Sequence, residues 1–262
     1  AGQNDMKQIS ATSSDTSSAT LIDLDFSKII SFSVYFKHAV FVTSSYVPWA
    51  IGDNTDWPIY ANLGRYLKKW KNFSIKENGK NYLVESAVCG SNYTLYLLKE
   101  FETDKNRYLA YVQKSKRKGR PFFLDTNGWI IVSIYGGHEI AAGIDERGAI
   151  HIIPNSIVSS KNFETRIVFL PNMTMAISIA FQEKFIIALS SYHEVYSGKF
   201  FDDEFNKDNT LNDYKIIKIS GKNDHCIALT SEGYVFARGK NEDGRLGTGN
   251  KQNSSVFRQI HV

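Results

Sequence analysis

The sequence predicts an all-β chain, a β-propeller assembled from five copies of one small unit. Two observations support this prediction: internal repetition and a composition that suits strands. Residues 216–241 align without a gap with residues 29–54, with nine identities in 26 positions, and self-similarity of this kind indicates a repeat architecture. The units are rich in Ile, Val, Tyr, Phe, Ser and Thr, which favour a pleated sheet.

Three further copies lie between these two. Residues 176–201 and 131–152 align with the last copy, and residues 84–101 align more weakly. We use one position of the unit as the reference for the alignment and call it the ruler position. The residues at this position in the five copies, the ruler residues, are His38, Tyr93, Ile140, Phe185 and His225. The intervals between these residues, 55, 47, 45 and 40, fit propeller blades and also some helical repeats.

Local patterns favour strands over helices. The runs CIALTS (226–231) and YVFARG (234–239) flank a Ser-Glu-Gly turn, which is a hairpin signature. The best helical candidate is Asn62–Lys71, with Leu63, Tyr66, Leu67 and Trp70 on one face. One such segment does not make a helical repeat, so we expect blades.

The last copy resembles the repeat of the regulator of chromosome condensation family. From His225 it runs through Ala-Leu-Thr, turns at a glycine and closes with Gly-x-Asn-x-x-Gly-x-Leu-Gly-x-Gly, whose glycines are Gly239, Gly244, Gly247 and Gly249. The first copy keeps Gly52 and Asn54, but Trp57 replaces the next glycine. The resemblance implies four-stranded blades over roughly residues 22–262. Five copies imply a closed small ring or part of a larger propeller.

Composition sets the outer limits of this domain. Residues 1–20 are rich in Ser and Thr with almost no large apolar side chains, so we expect a disordered segment followed by one propeller domain over residues 21–262. The first 20 residues lack the apolar core of a secretory signal. No stretch approaches the ~20 apolar residues that span a bilayer.

Cys89 and Cys226 are the two cysteines of the chain. They form neither a disulfide framework nor a Cys-x-x-Cys metal spacing, so we expect buried, reduced thiols. This expectation favours an intracellular compartment, nuclear or cytoplasmic.

The sequence predicts no enzyme, cofactor or metal site. His138 and His151 have no partner at a ligand spacing, and neither a nucleophile elbow nor a phosphate loop is present. His38 and His225 share their repeat position with Ile and Phe, so we expect packing residues that hydrogen-bond backbone within their own blade. The first-strand positions expected to line a central channel carry Ser33, Ser133, Ser178 and Ser220.

Three surface features are candidates for binding a partner. A basic run contains Lys114, Lys116, Arg117, Lys118 and Arg120. The insert between the first two copies carries Trp57 and Trp70 beside Lys68, Lys69 and Lys71. The segment Phe200–Phe205 combines aromatic and acidic residues. The alternatives are a solvated loop for the basic run, an ordinary loop with two buried Phe side chains for the acidic segment, and packing within the blade for the tryptophans.

The resemblance implies a non-catalytic protein-binding propeller, since family members include exchange factors for the small GTPase Ran and effectors that act on Ran. We therefore expect a Ran-class small GTPase as the partner, bound by an exchange factor or by an effector of the Ran cycle. One alternative is a chromatin or nucleic-acid module that uses the basic runs, because the net charge of +4 permits acidic partners. Another is a general protein-interaction scaffold.

Overall fold

The computed structural model describes residues 28–35, 37–54, 59, 66–77, 79–101, 107–113, 122–154 and 165–260. Apart from two short 3-10 turns, Pro171–Met173 and Asn209–Leu211, the regular structure in these ranges is β-strand. None of the helices in the described ranges has the length and apolar character needed to cross a membrane. The predicted disordered segment, residues 1–20, lies outside the described residues.

The described strands form five antiparallel sheets that follow one another along the chain. The first sheet contains β1 (Ile29–Tyr35), β2 (His38–Thr43), β3 (Pro48–Asp53) and β4 (Tyr66–Asn72). The second contains β5 (Ile75–Glu77), β6 (Lys80–Cys89), β7 (Tyr93–Glu100), β8 (Arg107–Gln113) and β9 (Phe122–Leu124). The third contains β10 (Ile131–Gly136), β11 (Ile140–Asp145), β12 (Ile150–Pro154) and β13 (Arg166–Val168).

The fourth sheet contains β14 (Ala176–Gln182), β15 (Phe185–Ser190), β16 (Val195–Lys199) and β17 (Asn206–Lys207). The fifth contains β18 (Ile216–Lys222), β19 (His225–Thr230), β20 (Val235–Gly239) and β21 (Ser254–Gln259). The predicted hairpin of the last copy is therefore confirmed as β19 and β20. The chain divides into two compact units, residues 1–141 with 153–165 and residues 142–152 with 166–262.

Apolar cores join successive sheets within each unit. In the first unit, Val40 and Val42 share a core with residues of the second sheet that include Val84 and Leu98. A second core of that unit contains Tyr93 and Leu95 together with Ile131 and Ile134. In the second unit, Ile187 and Leu189 of β15 pack with Ile216 and Ile219 of β18. Each fully buried aliphatic side chain contributes about 1.5–3 kcal/mol, so these contacts stabilise the stack.

The sheets repeat one another in detail. The five ruler residues begin β2, β7, β11, β15 and β19, so each is the first residue of an equivalent strand. Four sheets carry a β-bulge at the same repeat position, between Ile29 and Ser31, Val84 and Ser86, Ala176 and Ser178, and Ile216 and Lys218. A shared irregularity of this kind is a designed feature of the unit.

The predicted helix Asn62–Lys71 is wrong where the structure describes it. Tyr66–Asn72 is strand β4, and it pairs antiparallel with β3, with Gly52 opposite Leu67. A short apolar pattern does not distinguish a helix from a strand. Pairing with β3 favours the strand, because the N–H and C=O groups along the edge of β3 would otherwise stay unpaired.

Two glycines of the repeat adopt a backbone conformation, in a confined space, that no other residue type can adopt without a clash. Gly239 has a φ of +122°, and a Cβ there would lie 2.2 Å from the carbonyl oxygen of Asp224. Gly52, its equivalent in the first copy, has a φ of +108°, with a Cβ position 2.2 Å from the carbonyl oxygen of Lys37. Both conditions demand glycine, since an added Cβ would clash with backbone.

A buried asparagine anchors the loop after the third strand in both of these sheets. In the fifth sheet, Asn241 accepts a hydrogen bond at Oδ1 from the backbone N–H of Leu246, at 2.8 Å. In the first sheet, Asn54 accepts the equivalent bond from the N–H of Ile59, at 3.0 Å. Both asparagines are fully buried. The first copy thus keeps the loop anchor although its sequence lacks the second glycine of the motif.

Replacing Asn54 by alanine tests this anchor. The change leaves the N–H of Ile59 buried without its acceptor, so the free energy of unfolding should fall by about 1–3 kcal/mol. Asn72→Ala, at an exposed position of β4, is the matched control and should stay within about 0.5 kcal/mol of the parent. Urea unfolding followed by tryptophan fluorescence measures both, and equal effects would show that the Asn54 bond does not stabilise the fold.

Candidate functional site

The structure describes only part of the predicted partner surface. Lys68, Lys69 and Trp70 lie in β4, and Lys71 is exposed in the same strand. Trp57 and the basic run, residues 114–120, lie outside the described residues. The proposed binding roles of these residues stay predictions.

The ruler residues connect neighbouring sheets. His38 is fully buried, and its Nε2 lies 3.1 Å from Oγ1 of Thr94 in the second sheet. Tyr93 donates its hydroxyl to the carbonyl oxygens of Gly137, at 3.0 Å, and Ile140, at 2.6 Å. The hydrogen bond of His38 therefore joins two sheets, whereas we expected one within its own blade. Burial raises the pKa of Tyr93 well above its ordinary value, which keeps the hydroxyl a donor.

A buried charged cluster in the second unit is structural. Oδ1 of Asp145 accepts hydrogen bonds from the backbone N–H groups of Arg147 and Ala149, both at 2.9 Å. Oδ2 lies 3.0 Å from Nε2 of His151 and 2.7 Å from Nη2 of Arg147. Burial alone would raise the pKa of Asp145, but hydrogen bonds from His151 and Arg147 hold that pKa below its usual value.

The side chains of Asp145 and His151 have no exposed surface, so a substrate cannot reach them. In the part of the chain that the structure describes, no group of three or more His, Cys, Asp or Glu side chains could hold a metal ion. Both cysteines are buried, and burial raises the pKa of Cys226 to about 12. Neither the charged cluster nor the Cys226 thiol therefore offers a reactive centre.

A surface cavity of about 350 Å³ lies in the second unit. Its walls come from the turn between β15 and β16 and from the loop that leads into β18. The lining residues include Tyr192, His193, Glu194, Lys207, Asp213 and Tyr214. The cavity therefore lies between a hairpin turn of the fourth sheet and the loop that connects the fourth sheet to the fifth.

The turn beside the cavity is held in one conformation. His193 has a φ of +66°, and its N–H donates to the carbonyl oxygen of Ser190, at 3.0 Å. Its Nδ1 lies 3.0 Å from the carbonyl oxygen of Ile216, whose N–H donates back to the carbonyl oxygen of His193 at 3.2 Å. These bonds fix the turn to the start of β18, so the cavity wall is preorganised.

Charges on the wall are paired. Glu194 accepts hydrogen bonds from Nζ of Lys207 and from the hydroxyl of Tyr196, both at 2.7 Å. The bond from Lys207, followed by that from Tyr196, lowers the pKa of Glu194. Burial, followed by the bond to Glu194, raises the pKa of Tyr196 to about 12. The wall therefore presents an ionised carboxylate at neutral pH.

The floor of the cavity is anchored to the core. Leu211 is buried in the core of the fourth and fifth sheets. Oδ2 of Asp208 accepts a hydrogen bond from Nη1 of the buried Arg238 at 3.0 Å, and Nε of Arg238 donates to Oε1 of Gln182 at 2.7 Å. A buried ion pair with these extra hydrogen bonds keeps the loop in register, because removing either partner leaves a buried charge uncompensated.

Large apolar side chains surround the cavity and face solvent. Tyr192 is 74% exposed and Met173 is 68% exposed, and both Met175 and Tyr234 are also exposed. The N–H of Ser191 donates to the carbonyl oxygen of Met175 at 2.9 Å, and the ring of Tyr234 lies 6.3 Å from that of Tyr214 in the cavity wall. We call these four side chains and the cavity the turn surface. Tyrosine and methionine are typical of protein interfaces.

Sequence reasoning missed the turn surface, although a signal was present. Tyr192 and His193 occupy the places of Glu232 and Gly233 in the last copy. A bulky aromatic residue at the tip of a hairpin that elsewhere carries Glu-Gly has no packing role in the sheet. The exposure of Met173 and Met175 could not be derived in this way, since it depends on the path of the connection between the sheets.

Residues 216–245 match the family described as regulator of chromosome condensation (RCC1) repeat. This segment is an RCC1 repeat. It comprises β18, β19, β20 and the loop that Asn241 anchors, so the resemblance of the last copy is confirmed. No curated protein sequence matches the chain.

Solved structures with the same architecture cover most of the chain. Human WBSCR16 is similar over 92% of this chain and 69% of its own, with a TM-score of 0.74 and 14% identity. Prp20p from Saccharomyces cerevisiae is similar over 89% of this chain and 77% of its own, with a TM-score of 0.50 and 14% identity. The structure of YCF48 bound to D1 peptide is similar over 89% of this chain and 67% of its own, with a TM-score of 0.52 and 10% identity. The chain has the β-propeller fold that the sequence predicted.

Acidification provides a test of the buried cluster. Burial lowers the pKa of His151 from its ordinary value of 6.5, so the unfolded chain takes up this proton before the folded chain does. The free energy of unfolding should therefore fall as the pH drops below about 6.5, by at most about 1.4 kcal/mol per pH unit for this group.

The measurement compares melting temperatures between pH 7 and pH 5. His151→Gln keeps an amide donor near Asp145 and removes the titration, so part of the pH dependence should disappear. His225→Gln, at a half-exposed position of β19, is the matched control. An unchanged pH slope in His151→Gln would show that His151 is not the group responsible.

Proposed function

We propose that this chain is a non-catalytic, protein-binding propeller of the regulator of chromosome condensation type, and that it binds a Ran-class small GTPase. The observation that supports this proposal best is the turn surface: exposed Tyr and Met side chains around a preorganised cavity, in the unit that contains the RCC1 repeat. Prp20p, which shares the fold, is described with binding to Gsp1p and histones. YCF48 is described with a bound peptide.

The turn surface suits recognition of a protein side chain. A cavity of about 350 Å³ lies at the small end of ligand pockets and can admit one long side chain of a partner. Its wall carries both acidic and basic groups, among them the paired Glu194 and Lys207, so it can pair with a partner side chain of either charge. The ring of Tyr192 can add a cation–π contact to a basic one. Exposed tyrosines around such a pocket supply the apolar contact that anchors interfaces.

An exchange factor needs no covalent chemistry. It must bind the nucleotide-free GTPase more tightly than the loaded form, since only a difference in affinity between two states shifts their equilibrium. An effector of the Ran cycle would instead prefer one loaded form, and a general scaffold would not discriminate. A partner of this class also requires a nuclear or cytoplasmic location for the chain.

The decisive experiment measures the affinity of the purified chain for Ran in three states: nucleotide-free, GDP-bound and GTP-bound. Tighter binding to the nucleotide-free form by tenfold or more, about 1.4 kcal/mol, supports an exchange factor, and release of a fluorescent GDP analogue then measures the activity. Preference for one loaded form supports an effector. Absence of binding in all three states removes the Ran proposal.

Tyr192→Ala tests whether the turn surface is the binding site. Loss of an exposed aromatic anchor should weaken binding by about tenfold or more, mainly through faster dissociation. Phe101→Ala is the matched control, because Phe101 is also 73% exposed but follows β7 and belongs to none of the candidate binding features. Equal affinities of the two variants, measured by biolayer interferometry, would place the binding site elsewhere.

The predicted basic run has its own test. Lys114, Lys116, Arg117, Lys118 and Arg120 are changed together to glutamate, and binding to Ran and to duplex DNA is measured at several salt concentrations. If the run binds phosphates, the affinity of the parent chain for DNA should fall steeply as the salt concentration rises, and the variant should no longer bind DNA. Unchanged affinities for both ligands would assign the run to a solvated loop.

A further inference from the structure

Two of the three methionines of the chain belong to the turn surface. Met6 lies outside the described residues, whereas Met173 and Met175 lie in the connection that leads into β14. Met173 is 68% exposed and Met175 is 44% exposed. Methionine is more often buried than exposed, because its thioether is apolar. An exposed thioether is also open to oxidation.

The backbone of Met175 holds the connection in place, while its side chain is not required for the fold. Its carbonyl oxygen accepts a hydrogen bond from the N–H of Ser191 at 2.9 Å. At the equivalent position of the fifth sheet, Lys215 accepts the same bond from the N–H of Ser231, also at 2.9 Å, and Lys215 is exposed. Because this position carries an exposed lysine in another copy of the unit, a polar group on Met175 should leave the sheet intact.

Close backbone packing fixes the same connection. A Cβ added to Gly148, in the turn between β11 and β12, would lie 2.5 Å from the Cα and Cβ atoms of Met175, so the two backbones are in direct contact. The N–H of Ala176 donates to the carbonyl oxygen of Gly148 at 3.0 Å. Met173 ends the 3-10 turn Pro171–Met173, in which no residue is buried. The two thioethers therefore extend from a fixed backbone, outside the core.

We propose that Met173 and Met175 are a modification site, at which a hydroperoxide oxidises the folded chain. The thioether sulfur attacks one oxygen of the peroxide, the O–O bond breaks, and a sulfur–oxygen bond forms. Sulfur loses two electrons, and hydrogen peroxide is reduced to one molecule of water, which keeps both hydrogen atoms. Each side chain thereby changes from an apolar thioether to a polar, chiral sulfoxide.

The thiols compete poorly for the oxidant. Cys89 and Cys226 are both buried, and oxidation of a thiol requires access and the thiolate form. Burial raises the pKa of Cys226 to about 12, so this thiol is protonated at neutral pH. Among the residues that the structure describes, the exposed methionines are therefore the sulfur atoms that a peroxide reaches first.

Oxidation would regulate the contact that the turn surface makes with a protein. This consequence rests on the proposed function, whereas the modification itself does not. A surface that uses methionine for apolar contact loses that contact when the thioethers become sulfoxides, so the affinity for a partner should fall. Methionine sulfoxide reductases return the sulfoxide to the thioether and should restore the affinity.

Treatment of the purified chain with hydrogen peroxide, stopped with catalase, tests the modification without any partner. Peptide mass spectrometry should show one added oxygen on Met173 and one on Met175. Their oxidation rates should lie within about tenfold of those in the urea-unfolded chain, because exposure controls the rate. The melting temperature should stay unchanged, and the oxidised chain should elute earlier from a hydrophobic interaction column.

Met173→Leu combined with Met175→Leu is the matched control, because leucine is apolar and has no sulfur. Peroxide should leave the retention of this variant unchanged, although Met6 is still present. Oxidation more than about tenfold slower in the folded than in the unfolded chain, or loss of the folded state on oxidation, overturns the proposal. So does a parent chain whose retention shifts no more than that of the variant.

The consequence for binding is measured separately, by biolayer interferometry with Ran in the state that the untreated chain binds. Oxidation of the parent should weaken binding by about fivefold or more, and the double-leucine variant should be unaffected. Absence of binding by the untreated chain overturns the Ran proposal alone, since the modification is tested without a partner. Equal affinity before and after oxidation, in a chain that binds Ran, overturns the regulatory consequence.

Discussion

The structure depends on apolar contact between consecutive sheets. Each sheet alone would expose one or both aliphatic faces, so its stability comes from the sheet before it and the sheet after it in the chain. The ruler position shows how this contact is made specific: Tyr93 fills the space between sheets and places its hydroxyl on the carbonyl oxygens of Gly137 and Ile140. Sheet order is thus set by packing and by a few directed hydrogen bonds.

Because the sheets provide the stability, the turns between strands are free to vary. Thr230 and Ser190 hold equivalent turns through their hydroxyls, which accept from the N–H groups of Tyr234 and Glu194. With the backbone fixed in this way, the tip can be Glu-Gly in one copy and Tyr-His in another. The turn surface is a product of this freedom, since the tip residues of this turn differ from those of the last copy while the core between the sheets is kept.

Charged residues of the chain divide between structure and recognition. Asp145, His151 and Arg238 are buried and hold turns and loops in place. Glu194 and Lys207 form their ion pair at the wall of an open cavity, where a partner can reach them.

The sequence by itself determined the strand composition, the five repeats and the RCC1 motif of the last copy, because alternating apolar residues and turn glycines are local signals. It could not determine whether the segment of β4 forms a helix or a strand, since a short apolar pattern fits both equally. Only pairing with β3 selects the strand. Nor could it locate the turn surface. Whether Tyr192 lies beside Tyr214 at one cavity depends on the path of the loop that leads into β18, and that is a property of the tertiary structure alone.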